Sequence, residues 1–329
     1  MNQNLERLRF LCSQAESVLL TGPLYPDGDS LASCLALQCA IQAISSARVC
    51  LSGELSFRYR WLPFSENISA PSSIPDRQFD IAIILDGDRT RLDPYLTKLY
   101  DQARHQVIID HHVSTTNQDY DLFIVDAKAA STTEIIFRLL QHWNIALTPS
   151  IATLIYVGIV FDTAGFRYSN TLPQTHIIAS ELLKTGIDHG FINAKILMER
   201  QKSGIQLLGY VLQNTQYMHR SQIALCFIPL SYIETCGASS GDYEGIVETL
   251  LFIENIKISC LCIEKDPQKI KVSLRSRCDI DVSKVASKLS PSGGGHHKAA
   301  GVLLKTDLSS LQNDLPGFLI EQLQAVYED

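Results

Sequence analysis

Nothing in this chain approaches the ~18 consecutive apolar residues that a membrane-spanning helix needs. The stretch from Met1 to Ser17 carries Glu6, Arg7, Arg9 and Glu16 and reads as a mixed-polarity helix without the apolar core of an export signal. Neither secretion nor membrane insertion is expected. A surplus of positive charge is also missing: 28 Lys and Arg stand against 35 Asp and Glu, for a net charge of −7. Affinity for long nucleic acid comes from neutralising many phosphates, so this balance argues against an extended track for it and leaves small anionic substrates open. The nine cysteines form no Cys-x-x-Cys pair, which removes the common thiolate zinc pattern. Cys260 and Cys262, on one face of an expected strand, read as small apolar residues in a reducing cytoplasm. There is no internal repeat and no low-complexity segment, which leaves out the solenoid and disordered classes.

What remains is a globular composition, 46% hydrophobic with 8% aromatics over 329 residues, too long for one typical domain and comfortable for two. Strand-like and helical runs alternate through the first half: strands at Val18–Thr21, Arg48–Ser52, Phe79–Asp86, Val107–Asp110 and Phe123–Asp126, helices over Asp29–Ala43 and Asp93–Ala103. This is the rhythm of a doubly wound, mostly parallel sheet. Ser131-Thr-Thr-Glu134 reads as a capping box opening a helix to about Trp143, and Thr148-Pro149 as the N-cap and first residue of a helix reaching Phe161. A further helix from Pro173 should end near Lys184, with Gly186 as its C-cap. Ser65 to Arg77, rich in Ser and Pro, reads as an irregular loop.

Phe191 to Arg220 has helical periodicity and no strand signal. The expected organisation is an α/β domain over 1–190, a helical linker over 191–220, and a smaller α/β domain over 221–329 with strands at Ile223–Ile228, Lys257–Ile263 and Ile270–Ser276 and helices at Asp242–Phe252, Asp281–Leu289 and Phe318–Tyr327.

Chemistry gathers where the apolar runs stop. Asp27 and Asp29 follow the first strand, Asp86 ends another, Asp110-His111-His112 closes a third, and Asp162 ends the helix begun at Pro149. In an open α/β sheet, ligands bind outside the carboxyl ends of the strands. Each aspartate alone is more often a turn former or helix cap; four such ends with a histidine pair point instead to metal ligands at an active site. Carboxylates with one or two imidazoles suit Mn²⁺ or Mg²⁺. His105, His142, His176, His189 and His219 lack such acidic company and read as ordinary histidines. Lys265, Lys269, Lys271, Arg275, Arg277, Lys284, Lys288 and Lys298 outnumber Asp266, Asp279 and Asp281 over one stretch, a locally basic surface.

These motifs, in this order, resemble the DHH phosphoesterase family, in the DHH–DHHA1 branch that includes the nanoRNases. Pro26-Asp27-Gly28-Asp29-Ser30-Leu-Ala-Ser33, Asp86, Asp110-His111-His112 and Asp162-Thr-Ala-Gly-Phe-Arg167 match four motifs, and Gly293-Gly294-Gly295-His296-His297-Lys298 matches the glycine-rich motif of the DHHA1 domain. The resemblance spans nearly the whole chain. One position departs: Pro23 stands where the family has a metal-binding histidine.

The resemblance implies two divalent ions, Mn²⁺ first and Mg²⁺ second, ~3.5–4 Å apart. It assigns Asp27, Asp29, Asp86, His111 and Asp162 as metal ligands, with Asp86 bridging. His112 would face the scissile phosphate and Asp110 would orient an imidazole. Ser273, Arg275, Gly293, Gly294, Gly295, His296 and Lys298 would bind one end of the substrate. With Pro23 in place of histidine, the ion shared by Asp27 and Asp86 should bind weakly, unless Tyr25 or a backbone carbonyl is re-aimed to replace the ligand. The implied activity is hydrolysis of short oligoribonucleotides and linear dinucleotides to mononucleotides, with a phosphatase activity on 3′-phosphoadenosine-5′-phosphate. Its rivals are a cyclic-dinucleotide phosphodiesterase and a non-catalytic nucleotide-binding protein with a decayed metal site. The expected partners are short RNA and a second copy of the chain in a homodimer, in the cytoplasm.

Overall fold

Five-residue runs such as Ser17-Val-Leu-Leu-Thr21 and Ile81-Ala-Ile-Ile-Leu85 are buried along their whole length, the signature of strands covered on both faces by helices. The computed structural model describes residues 2–117, 119–277 and 279–325, and of Ser240 and His296 the backbone alone. The chain folds into two units, Met1–Glu199 and Arg200–Asp329.

In the first unit, α1 (Asn2–Gln14) precedes β1 (Ser17–Thr21), α2 (Gly28–Ile44), β2 (Arg48–Ser52), β3 (Ile68–Ser69), β4 (Ile81–Leu85), α3 (Pro94–Gln102), β5 (His105–Asp110), β6 (Leu122–Val125), α4 (Thr132–His142), α5 (Pro149–Asp162), α6 (Pro173–Leu183) and α7 (His189–Asn193). The strands form one parallel sheet in the order β3-β2-β1-β4-β5-β6. Chain direction through the sheet reverses between β1 and β4, which is the switch point where such sheets open a crevice.

One face carries the larger core, built from α1, α2, α4 and α5 with Leu20, Ile83 and Ile109 of the sheet. The other is covered by α3, with Leu19, Ile84 and Ile108. Trp143, fully buried, donates its indole N–H to the Leu5 carbonyl at 3.0 Å and so ties α4 to α1. Ser131 caps α4 as expected, accepting from the Glu134 N–H at 3.2 Å. The return bond of the capping box is displaced: Glu134 accepts from the Ala130 N–H at 3.2 Å instead of that of Ser131. The loop expected at Ser65–Arg77 holds two 3₁₀ turns around the short edge strand β3.

The stretch 191–220, read as one helical connection, divides between the units. A π-turn at Ala194–Met198 packs with α7 and α5 in the first unit, whereas α8 (Lys202–Asn214) packs on the sheet of the second. The second unit continues with β7 (Gln216–Met218), β8 (Ile223–Ile228), α9 (Leu230–Cys236), α10 (Ile246–Leu250), β9 (Ile258–Asp266), β10 (Lys269–Ser276), α11 (Val282–Leu289), β11 (Gly294–His296), β12 (Ala299–Leu304) and α12 (Leu308–Ala325). Its mixed sheet runs β11-β12-β10-β9-β8-β7, with cores on both faces. The helix expected over Asp242–Phe252 is a 3₁₀ turn followed by the short α10. The last helix starts ten residues before the expected Phe318 and passes through Pro316. Met1 and Tyr327, at the outer ends of two expected helices, lie outside the described residues.

The crossing of α2 and α5 sets the tolerance of the first unit. A Cβ on Gly158 would sit 2.1 Å from Asp29 Oδ1 and 2.2 Å from Thr133 Oγ1. Gly158→Ala should therefore destabilise the protein by about 1–3 kcal/mol, the usual cost of overpacking a close helix contact, and displace Asp29. Chemical denaturation measures it; an unchanged midpoint would show that α5 can shift without loss.

Candidate metal centre

At the β1/β4 switch point the chain turns into α2 through Pro26-Asp27-Gly28-Asp29. Asp27 is the helix N-cap, its Oδ1 accepting from the N–H groups of Asp29 at 3.0 Å and Ser30 at 3.1 Å. Asp29, with no exposed surface, accepts from the first two N–H groups of another helix, Thr132 at 2.7 Å and Thr133 at 3.0 Å. A buried carboxylate is tolerable only with such partners. The positive end of the α4 dipole adds to their effect.

Asp86 ends β4 with φ of 62°, a left-handed conformation that costs energy for a residue bearing a side chain and that gathers at functional sites. Its Oδ1 accepts from the Thr132 hydroxyl at 3.1 Å. His111 follows β5. Its Nδ1 lies 3.3 Å from the Ala129 carbonyl, which fixes that nitrogen as a donor and turns Nε2 toward the acids. Nε2 is 3.1 Å from Asp162 Oδ2 and 3.6 Å from Asp86 Oδ1. Asp162 arrives from the last turn of α5, and its Oδ2 is buried with no hydrogen bond of acceptable geometry.

Asp29, Asp86, His111 and Asp162 each offer one ligand atom, all within 4.8 Å of one another. Burial, then the charge of Asp29, pushes the Asp162 carboxyl up to about 8. Asp86 is raised well above the usual carboxylate range by burial and by Asp27, Asp29 and Asp162. Burial opposes a proton on His111, yet Asp162 and Asp86 hold its pKa well above the ordinary histidine value. Crowded acids, an imidazole with Nε2 turned inward and a carboxylate oxygen short of partners fit a divalent cation bound by oxygen and one nitrogen. Asp27 belongs to neither group of potential ligands found among the described residues.

Asp110 serves the neighbouring histidine. It accepts from the backbone N–H of His111 at 2.8 Å and of His112 at 3.3 Å, from the Thr115 hydroxyl, and from His112 Nδ1 at 2.6 Å. Burial alone would raise its pKa, but these donors, His112 first, hold it at about 2. The His112 ring is thereby fixed with Nε2 outward, where Arg91 Nη1 approaches to 3.4 Å. Arg91 escaped the sequence reading, because an arginine in a polar turn carries no motif. Tyr25, offered as a substitute for the missing histidine, is 74% exposed and turned to solvent.

In the second unit, Lys271, Ser273 and Arg275 alternate along one face of β10, with Gly301 and Ala299 opposite the last two on β12 and Gly294 opposite Gly301 on β11. Arg275 is already engaged: its Nε donates to Glu248 Oε1 at 2.7 Å and Nη1 to the Leu274 carbonyl at 2.9 Å. Glu248 is a second residue the sequence did not single out. The three glycines differ. A Cβ on Gly293 would meet the Ala286 carbonyl at 2.1 Å, and one on Gly295 (φ 145°) the Ala299 carbonyl at 2.4 Å, whereas Gly294 has open space. Lys298 is exposed in the β11–β12 turn, and the His296 side chain lies outside the described residues.

With this geometry in hand, the relatives are informative. The DHH family, N-terminal domain, matches residues 17–159 and the DHHA1 domain residues 229–327. The bifunctional oligoribonuclease and PAP phosphatase NrnA of Thermus thermophilus is 29% identical over 309 residues, 91% of this chain and 89% of that protein. Its counterpart of the same name in Bacillus subtilis is 29% identical over 238 residues, 69% of this chain and 72% of its own. An exopolyphosphatase-related protein from Bacteroides fragilis has the same fold, with a TM-score of 0.87 at 25% identity, covering 99% of this chain and 96% of that one.

Binding of a divalent ion must displace whatever proton Asp162 and His111 hold. With Asp162 pushed up to about 8 and His111 raised well above its ordinary value, the pair keeps a proton in the metal-free fold at pH 6 and 7. Lowering the pH through that range should weaken Mn²⁺ binding by about tenfold per unit for each proton displaced. Calorimetry in two buffers of different ionisation enthalpy counts the released protons; binding with none released at pH 6.5 would contradict the raised Asp162.

Proposed function

The chain belongs to the DHH family, with a DHHA1 domain in its second half, and from this premise we propose that it is a Mn²⁺-dependent phosphodiesterase cutting RNAs of a few nucleotides, linear dinucleotides included, to mononucleotides. A phosphatase activity on 3′-phosphoadenosine-5′-phosphate is part of the same proposal. The observation that carries it is the four-ligand cluster of Asp29, Asp86, His111 and Asp162 at the sheet switch point, beside a histidine held by Asp110. The names of its relatives from Thermus and Bacillus support the substrate class. Charge supports short substrates too, since a net −7 suits few phosphate contacts. No described helix is long and apolar enough to cross a membrane, and the eight described cysteines are free thiols, in keeping with work in the cytoplasm.

A divalent ion in this cluster supplies positive charge against the phosphate and lowers the pKa of water. The chain's own residues do the rest. Hydrolysis forms a bond from phosphorus to the water oxygen and breaks the one to the ribose oxygen, which must leave with a proton. His112, its Nδ1 held at 2.6 Å by the Asp110 carboxylate, turns Nε2 outward to exchange that proton, and Asp110 stabilises the imidazolium form as it arises. Ser273, Arg275, Gly294 and Lys298 of the second unit present donors and open backbone for the nucleotide. The Arg275 guanidinium keeps free N–H groups beyond those given to Glu248 and Leu274.

A manganese-supplemented assay on a length series of 5′-labelled RNAs, read by product size, tests the proposal. Mononucleotides should accumulate from dimers to short oligomers, with cyclic dinucleotides left intact; the reverse preference would make the protein a cyclic-dinucleotide phosphodiesterase. Asp86→Ala should abolish turnover, and activity within about tenfold of wild type would remove the metal cluster from the mechanism. Arg275→Ala should cost ~1.5–3 kcal/mol of dinucleotide binding, seen as a KM at least about tenfold higher. Bound metal should be unchanged, and bis-p-nitrophenyl phosphate, which has no second phosphate to grip, should be little affected.

A further inference from the structure

We propose that Arg91 takes the place of a second metal ion, so that this protein works with one divalent ion and one guanidinium. The inference rests on the phosphodiesterase reading and concerns how that site is charged.

The four-ligand cluster is complete without Asp27, His112 or residue 23. Among the described residues, a second ion finds few ligands that the first does not already use. Pro23 has no donor atom. Asp27 spends Oδ1 on capping α2, and Tyr25 faces solvent. His112 forms a group with Asp86 and His111, but its Nδ1, 3.8 Å from Asp86 Oδ1, is bound to Asp110 at 2.6 Å, and its Nε2 is met by Arg91. The other two members of that group already belong to the first cluster. A second ion is left with one oxygen of Asp27 and a share of Asp86, too few for tight binding.

Arg91 stands beside both Pro23 and His112. A Cβ on Gly87, the residue after Asp86, would be 3.7 Å from both Arg91 Cδ and Pro23 Cδ, so the two side chains flank one spot. The backbone beneath is anchored: the Leu24 N–H donates to the Arg91 carbonyl at 2.8 Å, and Asp88 caps the turn that carries Arg91. The guanidinium points to His112 Nε2, and among the described residues no carboxylate pairs with it. Asp27, Asp29, Asp86 and Asp162 act on one another electrostatically. Arginine stays charged at any working pH, and its planar fork matches two phosphate oxygens. Arg91 can therefore grip the scissile phosphate and stabilise the charge that builds on it.

The metal count decides. Protein freed of metal and re-equilibrated with Mn²⁺ should hold one ion per chain by elemental analysis after desalting, with the six-line electron paramagnetic resonance signal of isolated Mn²⁺. Arg91→Ala, at an exposed position and checked for folding by circular dichroism, should hold the same single ion and lose at least about tenfold in dinucleotide turnover. The double variant Pro23→His with Arg91→Ala should gain a second ion. Two tightly bound ions or a spin-coupled signal in the wild type would overturn the proposal and leave the phosphodiesterase reading standing. So would an Arg91→Ala enzyme within about twofold of wild type. One ion with no cleavage of any RNA in the length series would instead uphold the single-ion site and defeat the phosphodiesterase reading.

Discussion

The first unit is organised around the need to bury Asp29. A carboxylate with no exposed surface survives inside a protein only if its oxygens are satisfied, and here the N-terminus of α4 supplies two N–H groups at 2.7 and 3.0 Å. That need brings α4 against the start of α2. It makes Thr132 available to Asp86 and leaves no room for a side chain at position 158 of α5. Helices that would otherwise pack by apolar contact alone are registered on a polar atom. The same bonds orient the carboxylate toward Asp86, His111 and Asp162, so the constraint that builds the fold also shapes the site.

The two ends of the Asp–His cluster use opposite electrostatics. Asp110, buried, and Asp162, half-buried, both lie close to a histidine, yet one is held at about 2 and the other pushed up to about 8. The difference is the company. Asp110 collects donors from two backbone groups, a hydroxyl and an imidazole, and is a committed anion. Asp162 faces other carboxylates and has an oxygen with no hydrogen bond. The first arrangement is that of an orienting group, the second that of a place prepared for a cation.

Much of this was legible in the amino-acid order. The parallel sheet follows from apolar runs too uniformly hydrophobic to face water, and the acids that end them fall at strand termini because the sheet puts them there. His111 and His112, adjacent in sequence, take different tasks that only geometry separates: one turns Nε2 inward to the acids, the other is tethered through Nδ1. Arg91 was hidden because a lone arginine in a polar turn looks like solvated charge. The strands β11 and β12 were hidden because Gly294, Gly295, Ala299, Ala300 and Gly301 lack the branched side chains that announce a strand. The capping box at Ser131 was half right, since a glutamate one turn on can reach either of two N–H groups and the sequence does not say which.

The turn from Gly293 to Gly295 has a consequence for how such proteins diverge. Runs of glycine are commonly read as hinges, but at the first and third positions any side chain would strike backbone, and the segment is a fixed clasp against α11 and β12. Freedom is confined to the middle residue. A change at Gly294 would reshape the space above the open face of β10 and β12. In the proposed role of this face in binding the nucleotide, selectivity can drift at one position while the clasp on either side of it stays fixed.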